Sequence, residues 1–226
     1  MYNNTVKVLL PNSFIERMIN MKSYIVKKVN HTFRWCDIEA GKVNVYNWKE
    51  FQGYDPEAEF QMVHDDNNVF LRLTAHNDYN INQCTDVNQF VCNDSCMEAF
   101  FNLPGMVKSA YFNFEFNANG VIFLGWGESR ENRITVDPAI IKKYITIMAY
   151  GNDIPKTERG EWSITVIINK ELFPVLTGFE FTSGECGGNF YKCGERAISH
   201  FISWDEIIMD HPDFHRPEYF GKLIIE

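Results

Sequence analysis

Residues 111–117 alternate strictly between phenylalanines and residues that carry polar groups. A period of two over that length predicts a β-strand with one face in a core. The polar segment 117–120 predicts a turn, after which 121–126 returns as a second strand. Together with a third predicted strand at 96–101, the pattern indicates three adjacent antiparallel strands.

One surface of these three strands is expected to collect polar side chains. The side opposite the phenylalanines carries a carboxylate and two amides, as in a sheet that packs on one side and meets water or a ligand on the other. We expect Glu98, Glu115 and Trp126 to point to this one surface.

The same alternation recurs along the rest of the chain. Residues 58–64 and 69–76 alternate on either side of an Asp-Asp-Asn-Asn turn and are predicted to form a hairpin. Pro138 is expected to begin a helical turn. Further short strands are predicted at 24–29, 43–48, 145–150, 161–169, 179–182, 189–193, 198–204 and 221–226. About ten short strands separated by turns predict an all-β fold, an antiparallel β-sandwich of immunoglobulin-like type with short helical segments.

The domain organisation follows from length and pattern. The 226 residues show no internal repeat and no low-complexity linker, so one domain over 23–226 is expected. Residues 1–22 are predicted to be a leader or a short helix. They lack a basic segment followed by a long apolar core, so the protein is expected to stay in the cytoplasm unless a signal sequence precedes these residues.

The charge of the chain narrows the classes of partner. The formal net charge is −9, whereas proteins that bind nucleic acid need a basic surface to neutralise phosphates. The same charge argues against electrostatic docking on an anionic membrane. No apolar stretch of about 18 residues is present that could span a bilayer. We therefore expect neither nucleic acid nor membrane as a partner.

No metal or other cofactor is expected, with calcium as an open possibility. The six cysteines lack the paired spacing of a structural zinc site and are expected to be mostly free thiols. His211 and His215 have the spacing that places two metal ligands together on a helix. Nearby prolines break any helix there, so the spacing does not indicate a metal site. Asp65, Asp66 and Asp86 lie in predicted loops and carry the oxygen ligands that calcium takes.

Two alternatives place chemistry on this scaffold. Glu98 and Glu115, on neighbouring strands, could act as the carboxyl pair of a glycoside hydrolase. Haem binding is a second alternative, with Met97, Met148 and His76 as possible axial ligands.

Five segments, in order and at suitable separations, resemble a known family. They read DSCMEAFF (94–101), YFNFEFNANG (111–120), GGNFYKCG (187–194), FISWDE (201–206) and DFHRPEYFGKLIIE (213–226). Together they are similar to family 9 carbohydrate-binding modules, in particular the stand-alone family 9-like bacterial proteins, over roughly residues 25–226. The resemblance implies a β-sandwich without catalytic activity that binds ends of sugar chains between two aromatic rings. Members often accompany glycoside hydrolases, and some carry structural calcium.

The resemblance also implies site residues. The C-terminal stacking tryptophan of the family corresponds to Phe214, which lies three residues before the proline of the Pro-x-x-Phe-Gly motif. Glu98 is retained, while a family arginine falls at Glu115 and a family glutamine at Tyr191. A polar family position falls at His211.

The second stacking ring of the family has no direct counterpart, and Trp126 and Phe90 are the candidates for it. The expected function is non-catalytic binding of mono- or oligosaccharides, linked to carbohydrate catabolism, with a glycoside hydrolase as a possible partner.

Overall fold

The computed structural model describes residues 20–30, 32–151 and 153–226. Most of the predicted leader or helix at 1–22 lies outside these residues. Within the described part, no helix is both long and apolar enough to cross a membrane.

Thirteen strands are present in the described residues. They are β1 Ser23–Lys28, β2 Gly41–Val43, β3 Glu57–His64, β4 Asn68–Tyr79, β5 Cys96–Phe101, β6 Tyr111–Asn117, β7 Ile122–Gly127, β8 Ile134–Thr135, β9 Ile145–Tyr150, β10 Arg159–Asn169, β11 Gly184–Cys193, β12 Phe201–Ser203 and β13 Gly221–Ile225. The predicted hairpin is confirmed as β3–β4, and the three adjacent strands as β5–β6–β7.

Two short α-helices interrupt the strands. Helix α1, Pro138–Tyr144, begins where predicted: the Asp137 side chain accepts a hydrogen bond from the backbone N–H of Ala139 and so caps the helix. Helix α2, Leu172–Thr177, falls in a segment that the pattern left as a connection, and it ends at Gly178 with φ of 78°, a conformation that suits glycine.

The strands form one curled path in the order β8-β7-β6-β5-β11-β13-β1-β3-β4-β10-β9, with β12 beside β11 and β2 beside β3. Strand β1 joins the two halves, since its first part pairs with β13 and its last two residues pair with β3. Both of these pairings are parallel, so the sheet is mixed, while the other strand pairs are antiparallel. The all-β prediction is confirmed.

The two halves pack face to face around one apolar core. The β5–β6–β7–β11 half and the β3–β4–β10 half both contribute buried side chains to it. The clearest contact across the core is between Phe60 of β3 and Phe190 of β11, whose rings stack with centroids 3.4 Å apart. Burial of these aromatic side chains stabilises the fold, since each removes a large apolar area from water.

A buried ion pair also connects the two halves. The Lys192 ammonium of β11 lies 3.3 Å from the Asp78 carboxylate of β4, and both side chains are at most 1% exposed. Asp78 also accepts hydrogen bonds from Tyr54, Trp162 and Ser95. Burial alone would raise the pKa of Asp78, but Lys192 and these donors outweigh it, so the pKa is lowered.

Candidate functional site

A row of four side chains crosses the outer face of the β5–β6–β7–β11 half, the face turned away from the core. Strand register places Phe123 opposite Glu115, Glu115 opposite Glu98, and Glu98 opposite Tyr191. We call these four residues the acid–aromatic row. It puts two carboxyl groups between two aromatic rings, an arrangement that offers both hydrogen-bonding groups and flat apolar faces.

A second ring stacks on each aromatic end of the row. Phe214 lies on Tyr191 with centroids 4.1 Å apart and planes within 8°, and the Tyr191 hydroxyl donates to the Phe214 carbonyl at 3.1 Å. At the other end, Phe90 stacks on Phe123 at 6.2 Å and 22°. Phe214 is only 7% exposed, whereas Phe90 is 64% exposed. The Phe90 end of the row is therefore the one that meets solvent.

Loops cover the rest of the row. Asp94 anchors one of them, because its carboxylate accepts from the backbone N–H groups of Gln83 and Cys84 and from the Asn117 amide. Trp48 supports the other, since its indole donates to the Met209 carbonyl at 2.8 Å and its ring packs against Phe214. Asp94 thus fixes the conformation of this loop.

The two carboxyl groups of the row are buried, Glu98 at 3% and Glu115 at 4% exposure. Burial raises the pKa of Glu98 well above its ordinary value, and the charge of Glu115 raises it further. Burial also raises the pKa of Glu115, to about 7, although Arg133 and a hydrogen bond from Asn113 oppose the shift. The Cys193 thiol donates to Glu98 at 3.1 Å. The site therefore favours a protonated Glu98 near neutral pH, whereas Glu115 titrates in that range.

These raised pKa values predict a loss of stability with rising pH. Above the ordinary value of 4.5, the unfolded chain releases the Glu98 proton while the folded chain retains it, so stability falls as pH rises. We expect Glu98→Gln to remove part of this pH-dependent loss of stability. Its melting temperature should be about 2–4 °C higher than that of wild type at about pH 8 and little different at about pH 4.5. Thermal unfolding at both pH values measures the effect.

Glu128→Gln is the matched control, because it removes a carboxyl from the exposed segment after β7. An identical loss of stability with pH in Glu98→Gln and wild type would contradict the assignment.

A guanidinium and an imidazole lie beside the row. Arg133 lies 3.8 Å from Glu115, 5.2 Å from the centroid of the Phe123 ring, and 3.0 Å from His215 Nε2. Burial, Arg133 and Arg130 lower the pKa of His215 to about 2, so the ring is neutral. Since a guanidinium can only donate, Nε2 accepts and Nδ1–H donates to the Tyr111 hydroxyl, 2.8 Å away.

One buried acceptor beside the row has no partner. The Asn113 side chain is fully buried; its amide nitrogen donates to Glu115, while Oδ1 has no hydrogen-bond partner. Gly125 on the neighbouring strand leaves room for it, since a Cβ there would lie 2.6 Å from this oxygen. An unsatisfied buried acceptor costs free energy that a donor on a ligand or water would recover.

Strand pairing also brings two cysteines together beside Glu98. Cys193 lies opposite Cys96, and the two sulfur atoms and a Glu98 oxygen lie within 4.8 Å of one another. Thiolates and carboxylates are zinc ligands, but a structural zinc site takes four, and this cluster offers three among the described residues. Burial raises the pKa of the Cys96 thiol to about 12, which favours hydrogen-bonded thiols.

The structure brings together most of the predicted site residues. Glu98, Glu115 and Tyr191 share the row, and Phe214 stacks on it. Phe214 is not an open platform, however, because Tyr191 covers one face of its ring. His211 is exposed on the loop that carries Phe214.

The expectation that Trp126 shares this surface is wrong. Trp126 lies opposite Phe112, and both side chains pack against the core between the two halves. The alternation along β7 places Phe123, not Trp126, on the outer face.

The residues of the alternative haem hypothesis are not gathered in one place. Met97 is fully buried in the core of the sandwich, whereas His76 hydrogen-bonds to Glu161 at 2.7 Å on the outer face of the other half. Two of the aspartates named as possible calcium ligands have other partners. Asp65 accepts hydrogen bonds from two backbone N–H groups of its own turn, and Asp66 forms an ion pair with Lys28 at 2.6 Å.

Several residues that contact the row were not predicted from the sequence. Phe123 could have been found, because counting back from the turn at 117–120 places it opposite Glu115. Arg133 and Trp48 reach the row from loops, and no periodic pattern marks such contacts.

A family model identifies the family of this chain, and solved structures share its fold. The family model described as carbohydrate-binding family 9 matches residues 27–225. The crystal structure of a candidate carbohydrate-binding protein from Bacteroides uniformis is 27% identical, with a TM-score of 0.81 over 91% of this chain and 100% of that one.

Two structures of a family 9 module from Caldicellulosiruptor kristjanssonii, one with glucose and one with cellotriose, are each 12% identical, with TM-scores of 0.58 and 0.56. Each covers 91% of this chain, and 96% and 94% of the respective modules are matched. No curated protein matches significantly.

Proposed function

Since this chain belongs to carbohydrate-binding family 9, we propose that it binds mono- or oligosaccharides without catalysing a reaction, at the Phe90 end of the acid–aromatic row. Family membership supports sugar as the class of ligand. The glucose and cellotriose complexes of the Caldicellulosiruptor module support glucose-type rings as the first to test.

The observation that carries the proposal is an exposed ring next to buried polar groups. Phe90 is 64% exposed and is held in place by Phe123. A pyranose presents a flat C–H face that packs on such a ring and a rim of hydroxyls that needs donors and acceptors. The Arg133 guanidinium, which lies 5.2 Å from the Phe123 ring, supplies donors at the Phe123 end of the row.

Burial of the two carboxyl groups favours binding over hydrolysis. A glycoside hydrolase needs one carboxyl to reach the leaving oxygen and the other to reach the sugar carbon or a water molecule. Glu98 and Glu115 are 3% and 4% exposed, and both are engaged by neighbours, Cys193 and Asn113. We therefore extend the proposal to an accessory role in polysaccharide or oligosaccharide breakdown, with a glycoside hydrolase as the partner that performs the chemistry.

Replacing the exposed ring tests the position of the site. We expect Phe90→Ala to weaken sugar binding about tenfold, which corresponds to the loss of one stacking contact. Isothermal titration with glucose and cellotriose, after a glycan array has ranked other sugars, measures this change. Phe179→Ala is the matched control, because Phe179 is also an exposed phenylalanine, at 42%, that follows α2 and does not belong to the row.

Equal affinity in Phe90→Ala and Phe179→Ala would contradict this position for the site. A folded wild-type protein that binds no sugar on the array would contradict the function itself.

A further inference from the structure

A groove of about 490 Å³ lies on the outer face of the other half of the sandwich. Its volume is within the range of small-molecule sites. Its lining residues are Trp35, Arg72, Met148, Tyr150, Gly151, Glu161, Trp162, Ser163 and Thr165. This lining combines aromatic rings, a guanidinium, a carboxylate and hydroxyls, which is the set of groups that a sugar ring needs. None of these residues belongs to the acid–aromatic row.

The floor of the groove is built from strand register. Arg72 of β4 lies opposite Thr165 of β10, and Thr165 lies opposite Met148 of β9. Two residues along, Ser163 lies opposite Tyr150. Because neighbouring strands are about 4.8 Å apart, this places a cation, hydroxyls and an aromatic ring within the span of one or two pyranose rings.

The opposite wall of the groove is a tryptophan held by the sheet. The Gln61 side chain, which lies opposite Arg72 on β3, donates to the Trp35 and Ile38 carbonyls at 2.7 Å each. Phe33 packs edge-on against the Trp35 ring with centroids 5.1 Å apart. The ring is thus fixed while remaining partly exposed, so binding a sugar on it costs little conformational entropy.

Arg72 provides a second, independent sign of a ligand. Its Nε is buried and has no hydrogen-bond partner, although guanidinium donors are normally satisfied when they are shielded from water. The guanidinium lines the groove, where a hydroxyl oxygen of a sugar would accept from its other N–H groups. Glu161, which also lines the groove, already forms a hydrogen bond with His76 at 2.7 Å and does not exclude a neutral ligand.

We infer that this groove is a second carbohydrate-binding site, which takes neutral pyranose sugars between Trp35 and Tyr150 with Arg72 as donor. The choice of ligand class rests on the proposed function. The site itself is separate, so the chain would engage one glycan at two places or two glycans at once.

The test follows each site with its own signal. Trp35 provides an indole N–H resonance, assigned by its loss in Trp35→Phe. Titration with cellotriose, xylotriose, mannotriose and maltotriose is expected to shift this resonance, and Tyr150→Ala and Arg72→Met are each expected to weaken that shift about tenfold. Tyr150 is 53% exposed, so its replacement leaves the fold intact, and Phe90→Ala is expected to leave the Trp35 titration unchanged.

The outcomes separate the two claims. If a sugar binds, Phe90→Ala weakens that binding about tenfold and the Trp35 resonance never moves, the groove inference is overturned and the proposed function stands. If the Trp35 resonance titrates and responds to Tyr150→Ala but not to Phe90→Ala, the second site is supported, whatever happens at Phe90. If folded protein binds none of these sugars and no sugar on the glycan array, both are overturned.

Discussion

Replacing Lys192 by methionine is expected to lower the free energy of unfolding by about 3–5 kcal/mol, because it leaves a buried carboxylate without its cation. Lys192 is fully buried and Asp78 is 1% exposed. The Lys192 ammonium also contacts His200 Nε2 at 2.9 Å, and burial together with that ammonium lowers the pKa of His200 to about 3. His200 is therefore neutral in the wild-type protein, and Lys192 is the cation that faces Asp78.

Urea unfolding measures this effect, with Lys27→Met as the matched control because Lys27 is an exposed lysine on strand β1. A double-mutant cycle with Asp78→Ala is expected to show that the two residues are coupled, so that the double variant loses less than the sum of the two single losses. A loss below about 1 kcal/mol in Lys192→Met would mean that the pair does not join the two halves as described.

The second large effect is expected at Phe214. Phe214→Ala is expected to cost about 3–5 kcal/mol, as for other buried phenylalanines, since the ring packs on Tyr191 at 4.1 Å and against Trp48 and Phe201. The variant therefore tests stability first. Because Phe214→Ala destabilises the fold, a loss of sugar binding in this variant is interpretable only beside the binding of a variant that keeps the fold.

Phe214→Leu provides that comparison, because it retains apolar volume and loses only the stacking geometry. Phe90→Ala, at an exposed position, is expected to change stability by no more than about 0.5 kcal/mol. Urea unfolding of the three variants measures the difference. Similar midpoints for Phe214→Ala and Phe90→Ala would contradict the packing of Phe214 in the structure.

The sequence predicted the elements whose two faces differ in polarity. Strands β3, β4 and β6 each set apolar side chains against polar ones, so their existence and orientation were readable. Helix α2 was missed because its six residues are too few for a helical period to show. The parallel pairing of β1 was missed as well, since pairing between distant strands leaves no local mark.

The site residues likewise divide into those that the sequence pattern predicts and those that it does not. Glu98 and Glu115 were expected on one surface, and their register places them side by side. Trp126 lies on the opposite face from the one expected, because the register of β7 places Phe123 opposite Glu115 and Trp126 opposite Phe112. The burial of Phe214, the approach of Arg133 and the Trp35 wall of the groove depend on how loops lie over the sheets, and residue periodicity carries no information about that.

The position of β13 has a consequence for how the protein is made. This strand lies between β11 and β1, so the middle of the curled sheet stays open until residues 221–225 have left the ribosome. Until then the edges of β11 and β1 expose unpaired backbone groups and adjoining apolar surface, the features that attract chaperones and promote aggregation. Because β1 and β13 stand at opposite ends of the described chain, we expect folding to be slow. The pairing of these two strands can form only after synthesis of the domain is complete.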